Sequence, residues 1–249
     1  MREQWKSFKG VLYVLSICAL CAASCRVDKG KAYEADGMPE RAPEKQIIGT
    51  LESAFLRAGL QDIGSIEGVL VQLKYSTTDN FMHRDMYGDL EKAYLLPDAA
   101  QKLERAAQAL LREYPDLRLL VYDGARPHAI QQLMWDSVDL PQDLKVQFLS
   151  HPDQLSLHNY GAAVDITLSD ANGNPLDMGT AYDDAARLSY PSLEATFLAS
   201  GQLSEAQVAN RRLLRRLMTE AGFTGIDSEW WHFNHCTRAY AAEHYQLLP

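Results

Sequence analysis

The stretch Ser156-Leu157-His158-Asn159-Tyr160-Gly161-Ala162-Ala163-Val164-Asp165-Ile166-Thr167-Leu168 decides how this chain is read. From Ala163 onward it is an apolar run of strand length. One carboxylate, Asp165, interrupts it. An ionised Asp in such a strand is costly to bury without a partner. A divalent metal shared with His158, which lies in the preceding Gly-containing loop, would supply that partner. The same residues also fit a surface histidine and a carboxylate at a strand edge. The metal reading therefore needs support from elsewhere in the chain.

That support comes from Ser228-Glu229-Trp230-Trp231-His232-Phe233. The two Trp would exclude water and raise the carboxylate pKa of Glu229 toward what a general base needs. An aromatic core strand with a wet edge is the plainer alternative. In a straight strand, positions three apart face opposite sides. Either the chain bends or Glu229 reaches around from the end. Together the two segments offer His158, Asp165 and His232 as ligands, and a catalytic zinc takes three with one position open. A third segment, Tyr122-Asp123-Gly124-Ala125-Arg126-Pro127, holds Arg126 between a turn and a Pro-started helix. A guanidinium on so stiff a backbone can stabilise an oxyanion, or pair with a nearby acid.

Around these segments the remaining elements fall into place. A helix is expected near Ile47 to Ala58, and a strand from Val69 to Tyr75. A helix entered through Pro97-Asp98 runs to Tyr114 with Ala99, Leu103, Ala106, Ala107 and Leu110 on one face. Leu117 to Tyr122 reads as a strand, followed by a helix from Pro127 to about Trp135. Asp170 to Asn174 is a turn. Glu205 to Ala221 is a helix stopped by Gly222, and Ser228 to Phe233 is the last strand. Strands and helices do not alternate regularly. The expected class is α+β, an antiparallel sheet flanked by helices.

Composition narrows the partners. The 249 residues carry a formal net charge of −9, with 47 % hydrophobic and 23 % charged residues. An acidic chain without a basic run argues against nucleic acid. Arg211-Arg212 and Arg215-Arg216 read as the solvated side of a helix. At the start, Arg2, Lys6 and Lys9 precede an apolar run from Val11 to Ala23 that ends at Ala22-Ala23-Ser24-Cys25. This is a signal-peptide pattern, too short for a comfortable membrane span. It resembles a bacterial lipoprotein signal over residues 1–25, with Cys25 as the lipidated residue. Cys18 and Cys21 would be removed with it, leaving Cys236 and no disulfide. Residues 26–45 read as a flexible tether. The domain would then occupy 46–249, exported to the periplasm or held at a membrane only through the lipid.

Taken together, Thr78-Asp79-Asn80-Phe81, Ala93-Tyr94-Leu95, Asp123-Gly124-Ala125-Arg126-Pro127, the His158 to Asp165 segment and Glu229-Trp230-Trp231-His232 resemble the D-alanyl-D-alanine dipeptidases and the wider zinc D,D-peptidase family. The resemblance implies the hedgehog/D,D-peptidase fold and one Zn2+ per chain, on His158, Asp165 and His232. It implies Glu229 as base, Arg126 as transition-state cation, Asp183 as partner of the substrate ammonium, and Ser156 lining the substrate site. The implied reaction is hydrolysis of a small D,D-dipeptide, D-alanyl-D-alanine, to two D-alanines in cell-wall peptide turnover. A D,D-carboxypeptidase acting on peptidoglycan stem peptides, or a non-catalytic zinc module binding wall fragments, stands beside it. Ala125, Leu157 and Asn159-Tyr160 depart from the family's pattern and bear on the shape of the cleft.

Overall fold

The computed structural model describes residues 45–138, 145 and 149–249. The signal run, Cys25 and the tether up to residue 44 lie outside the described residues. No described helix is long and apolar enough to cross a membrane.

The chain opens with α1 (Lys45–Arg57), β1 (Gln61–Asp62), β2 (Val69–Val71) and β3 (Tyr94–Leu95). Then follow α2 (Pro97–Glu113), β4 (Leu117–Asp123), α3 (His128–Ser137) and β5 (Ala163–Asp170). The last part holds α4 (Glu194–Ala199), α5 (Glu205–Glu220), β6 (Thr224–Gly225), β7 (His232–Asn234) and α6 (Arg238–His244). The main sheet has the order β2-β4-β5-β7-β6, and β1 pairs with β3 in a separate ribbon. All neighbours in the main sheet are antiparallel except β2 and β4, which run parallel. The parallel edge follows from the connection: α2 lies between these two strands and returns the chain to the same end of the sheet.

The alternation of β5 sorts its side chains between two faces. Val164, Ile166 and Leu168 join the apolar core, along with Leu119 and Val121 of β4. Ala99, Leu103, Ala106, Ala107 and Leu110 of α2 are all buried, as the helical spacing requires. Leu214, Leu217 and Met218 of α5 complete this layer. Asp165 and Thr167 point to the opposite face. Thus the strand that carries Asp165 is buried on both sides.

Two segments differ from the sequence expectation. The strand from Val69 stops at Val71, and Lys74–Ser76 is a 3-10 turn that carries Tyr75 into the interior. The last strand begins only at His232, so Glu229 precedes it in a bend. The arginines of α5 also divide. Arg212 is exposed, but Arg211 is 1 % exposed and donates to the carbonyls of Met178 (2.6 Å) and Leu188 (3.0 Å). Arg215 grips the buried Glu194 through two hydrogen bonds, 3.1 and 2.7 Å. This face of α5 ties down the loop before it, where helical spacing alone suggested solvent.

Candidate metal centre

β5 and β7 pair with Asp165 directly opposite His232. His158 arrives from the 3-10 turn Leu157–Tyr160, which ends at Gly161 with φ +68°. A side chain there would press on Leu60 at 3.0 Å in a backbone region that favours glycine. Three donor atoms meet at this point. His158 Nε2 lies 3.3 Å from Asp165 Oδ1 and 3.3 Å from His232 Nδ1, and His232 Nδ1 lies 3.0 Å from Asp165 Oδ1. Ligands held about 2.0–2.1 Å from a tetrahedral centre are separated by about 3.3 Å.

The outer contacts of the two rings fit the same geometry. His158 Nδ1–H donates to the carbonyl of Gly124 at 2.7 Å, and His232 Nε2–H donates to Asn234 Oδ1 at 2.8 Å. Each imidazole spends its proton on the far side and turns its other nitrogen to the shared point, the arrangement metal-binding histidines adopt. Tyr182 O–H donates to Asp165 Oδ2 at 3.0 Å, fixing the second carboxylate oxygen. As bare side chains the donors share a proton. Burial opposes charging His232, but Asp165 beside it lifts its pKa to about 9. Burial likewise opposes ionising Asp165, and the two histidines outweigh it and hold the carboxyl well below its usual range. A metal bound here would displace that proton.

Arg126 is 6 % exposed. Its Nε and Nη2 both donate to Asp123 Oδ2, and Nη1 donates to Gln131 Oε1 at 2.9 Å. Of five guanidinium N–H groups this leaves two for the cleft it lines. Tyr75 covers one flank, 4.9 Å from ring centroid to guanidinium carbon. Asp123 is fully buried and also accepts from Tyr87 O–H (2.8 Å) and the Gly124 amide (2.9 Å). At Gly124 a Cβ would fall 2.8 Å from the carbonyl of Tyr94, so the residue that bonds His158 must be glycine. Replacing Asp123 with Asn removes the nearest counter-charge of a buried guanidinium and leaves it only Asp165, at 3.8 Å. We expect a loss of about 3–5 kcal/mol in urea unfolding. A loss below about 1 kcal/mol would mean that Arg126 is not held by this pair.

These groups line one cleft of about 390 Å3, with Glu229, Trp231, Asp183 and Ser156. Burial raises the Glu229 carboxyl, against the opposing pull of His232. Burial, and after it Asp165, pushes Asp183 well above its usual range, while Tyr75 O–H donates to its Oδ2 at 3.0 Å. Asp183 adopts φ +61°, a strained conformation that aims it at the cleft. Ser156 caps the turn before His158, its Oγ accepting from the His158 amide at 3.3 Å and leaving its O–H for the cleft. Only one of the two tryptophans faces this space. Trp230 turns away, donates to Thr180 Oγ1 (2.8 Å) and covers Arg211.

The arrangement matches known proteins. The family model for the D-ala-D-ala dipeptidases matches residues 57–248. This chain belongs to that family. The D-ala-D-ala dipeptidase fold here is therefore the fold of a metal-dependent peptidase, and its His158-Asp165-His232 group can hold the metal. A D-alanyl-D-alanine dipeptidase of Escherichia coli (strain K12) is 33 % identical over 163 residues, covering 66 % of this chain and 77 % of its own. One of Synechocystis is 30 % identical, covering 60 % of this chain and 72 % of its own. One of Enterococcus faecium is 27 % identical, covering 68 % and 86 %.

Within this dipeptidase the sequence reading missed the supporting residues. Asp123, Gln131, Tyr75, Tyr182 and Asn234 each fix a named site group. Only Asp123 left a signal, as a carboxylate at a strand end three positions before an arginine. The others act across the fold.

Proposed function

We propose that this protein hydrolyses D-alanyl-D-alanine to two D-alanines, using one zinc ion on His158, Asp165 and His232. The observation that carries the reading is the meeting of three ligand atoms, all within 4.8 Å of one another, in a cleft shared with Glu229 and Arg126. Zinc bound there supplies a Lewis acid and lowers the pKa of water. Glu229 accepts the proton of the attacking water and delivers it to the leaving amine. Its burial makes it a stronger base than an exposed glutamate. The remaining N–H groups of Arg126 meet the charge that develops on the carbonyl oxygen. Asp183 pairs with the free ammonium of the substrate, so a blocked amino end is excluded.

The zinc-loaded protein is expected to release D-alanine from free D-alanyl-D-alanine and none from an N-acylated stem peptide ending in the same residues. A chelator should abolish the activity and zinc restore it. Release from the acylated peptide would reassign the protein as a D,D-carboxypeptidase. No release from either, with zinc bound, would leave a binding module.

A further inference from the structure

Arg238 is a charged residue of the cleft that this mechanism does not use. It lines the cavity, its side chain is exposed, and it makes no hydrogen bond or ion pair among the described residues. The other arginine of the cleft, Arg126, already has its charge balanced by Asp123 at the same site. Three carboxylates, Asp165, Asp183 and Glu229, line the same space. A substrate carboxylate entering it would be repelled beside these three groups and attracted beside Arg238, the cation of the lining with no acid partner among the described residues.

The sheet sets the order of these groups along the cleft. Tyr75, the partner of Asp183, follows edge strand β2. The metal ligands stand on β5 and β7 in the middle of the order. Thr224 and Ile226, at and just after the opposite edge strand β6, line the cleft together with Arg238, which follows β7. Anion, metal ligands and uncommitted cation thus follow one another across the sheet. A peptide with its ammonium on Asp183 and its scissile bond over the ligands points its carboxyl end toward Arg238.

We propose that Arg238 forms the carboxylate subsite of this cleft and selects peptides whose two ends are both free and charged. The proposal rests on the hydrolase reading above. Arg238 acts by binding the leaving residue, and no bond changes at it. A guanidinium–carboxylate contact in a cleft alters affinity by about tenfold to a hundredfold.

The test compares D-alanyl-D-alanine with its C-terminal amide on the zinc-loaded full chain, as wild type and as Arg238→Ala, Arg238→Lys and Arg238→Glu. The wild type should prefer the free acid by about tenfold to a hundredfold in kcat/KM, carried mainly by KM. That ratio should fall to near one in Arg238→Ala, reverse in Arg238→Glu, and survive in part in Arg238→Lys. Zinc content should stay at one per chain in all four. A wild-type enzyme indifferent to the amide, or an Arg238→Ala variant that keeps the full ratio, would overturn the subsite. So would an equal fall on both substrates, which would mark a structural role. An inactive wild type would overturn the dipeptidase function, and the subsite with it.

Discussion

Replacing Glu229 with Gln should lower kcat by about 100- to 10,000-fold while zinc stays bound. The amide keeps the shape of the carboxylate and its place before β7. It cannot accept the proton of the attacking water. The proposed ligands His158, Asp165 and His232 are untouched, so zinc content by mass spectrometry or atomic absorption should match the wild type. KM should change little, because the exchange removes a group needed in the transition state and not in the bound substrate. A variant that retains more than about a tenth of the wild-type kcat would remove Glu229 as the base and send the search for one to another group in the cleft.

Replacing Asp183 with Asn should cost activity and add stability, and the two effects have one origin. Asp183 is a carboxylate placed where burial and Asp165 both disfavour its charge. An ammonium resolves that conflict when substrate binds. The Asn variant should therefore lose about 10- to 100-fold in kcat/KM, mostly through KM. In the metal-free protein it should be more stable than the wild type by about 1–2 kcal/mol at neutral pH. The pH dependence follows from the direction of the shift. The carboxyl titrates higher in the folded protein than in the unfolded chain, where it titrates near about pH 4. Below that pH both states hold the proton and the variant gains nothing. As pH rises from there toward the folded-state pKa, the unfolded wild type alone loses the proton and the wild type weakens. The advantage of the variant should thus grow with pH and then level off. Zinc should shrink it, because a nearby divalent charge favours the ionised carboxyl. Urea unfolding at several pH values checks this. A variant less stable than the wild type at neutral pH would show that Asp183 is held by favourable contacts and not by strain.

Local chemistry made much of this site legible. Asp165 stood out because a charge inside an apolar strand requires compensation. The helix from Pro97 was visible in its spacing and its entry residues. His158, Glu229, Arg126 and His232 could be nominated because their residue types lie in stiff or aromatic segments of fixed order. Each of these signals sits within about ten residues of chain.

Other features had no local signal. A strand through Ser228 to Phe233 would set Glu229 and His232 on opposite faces, and only the pairing of β7 with β5 shows that the strand starts later. Arg211 sits at a position of α5 that resembles its solvated neighbour Arg212, and is buried because the loop at Met178 and Leu188 folds over it. Asp123, Tyr182 and Asn234 hold the cation and the ligands through contacts that the sheet and loops create. The parallel edge strand β2 arises from the path of α2 back across the sheet. Sequence by itself determined which groups could do the chemistry, because ionisation, alternation and backbone stiffness are local. Tertiary structure decided which of them face one another and at what charge, because register, burial and second partners exist only once distant segments pack.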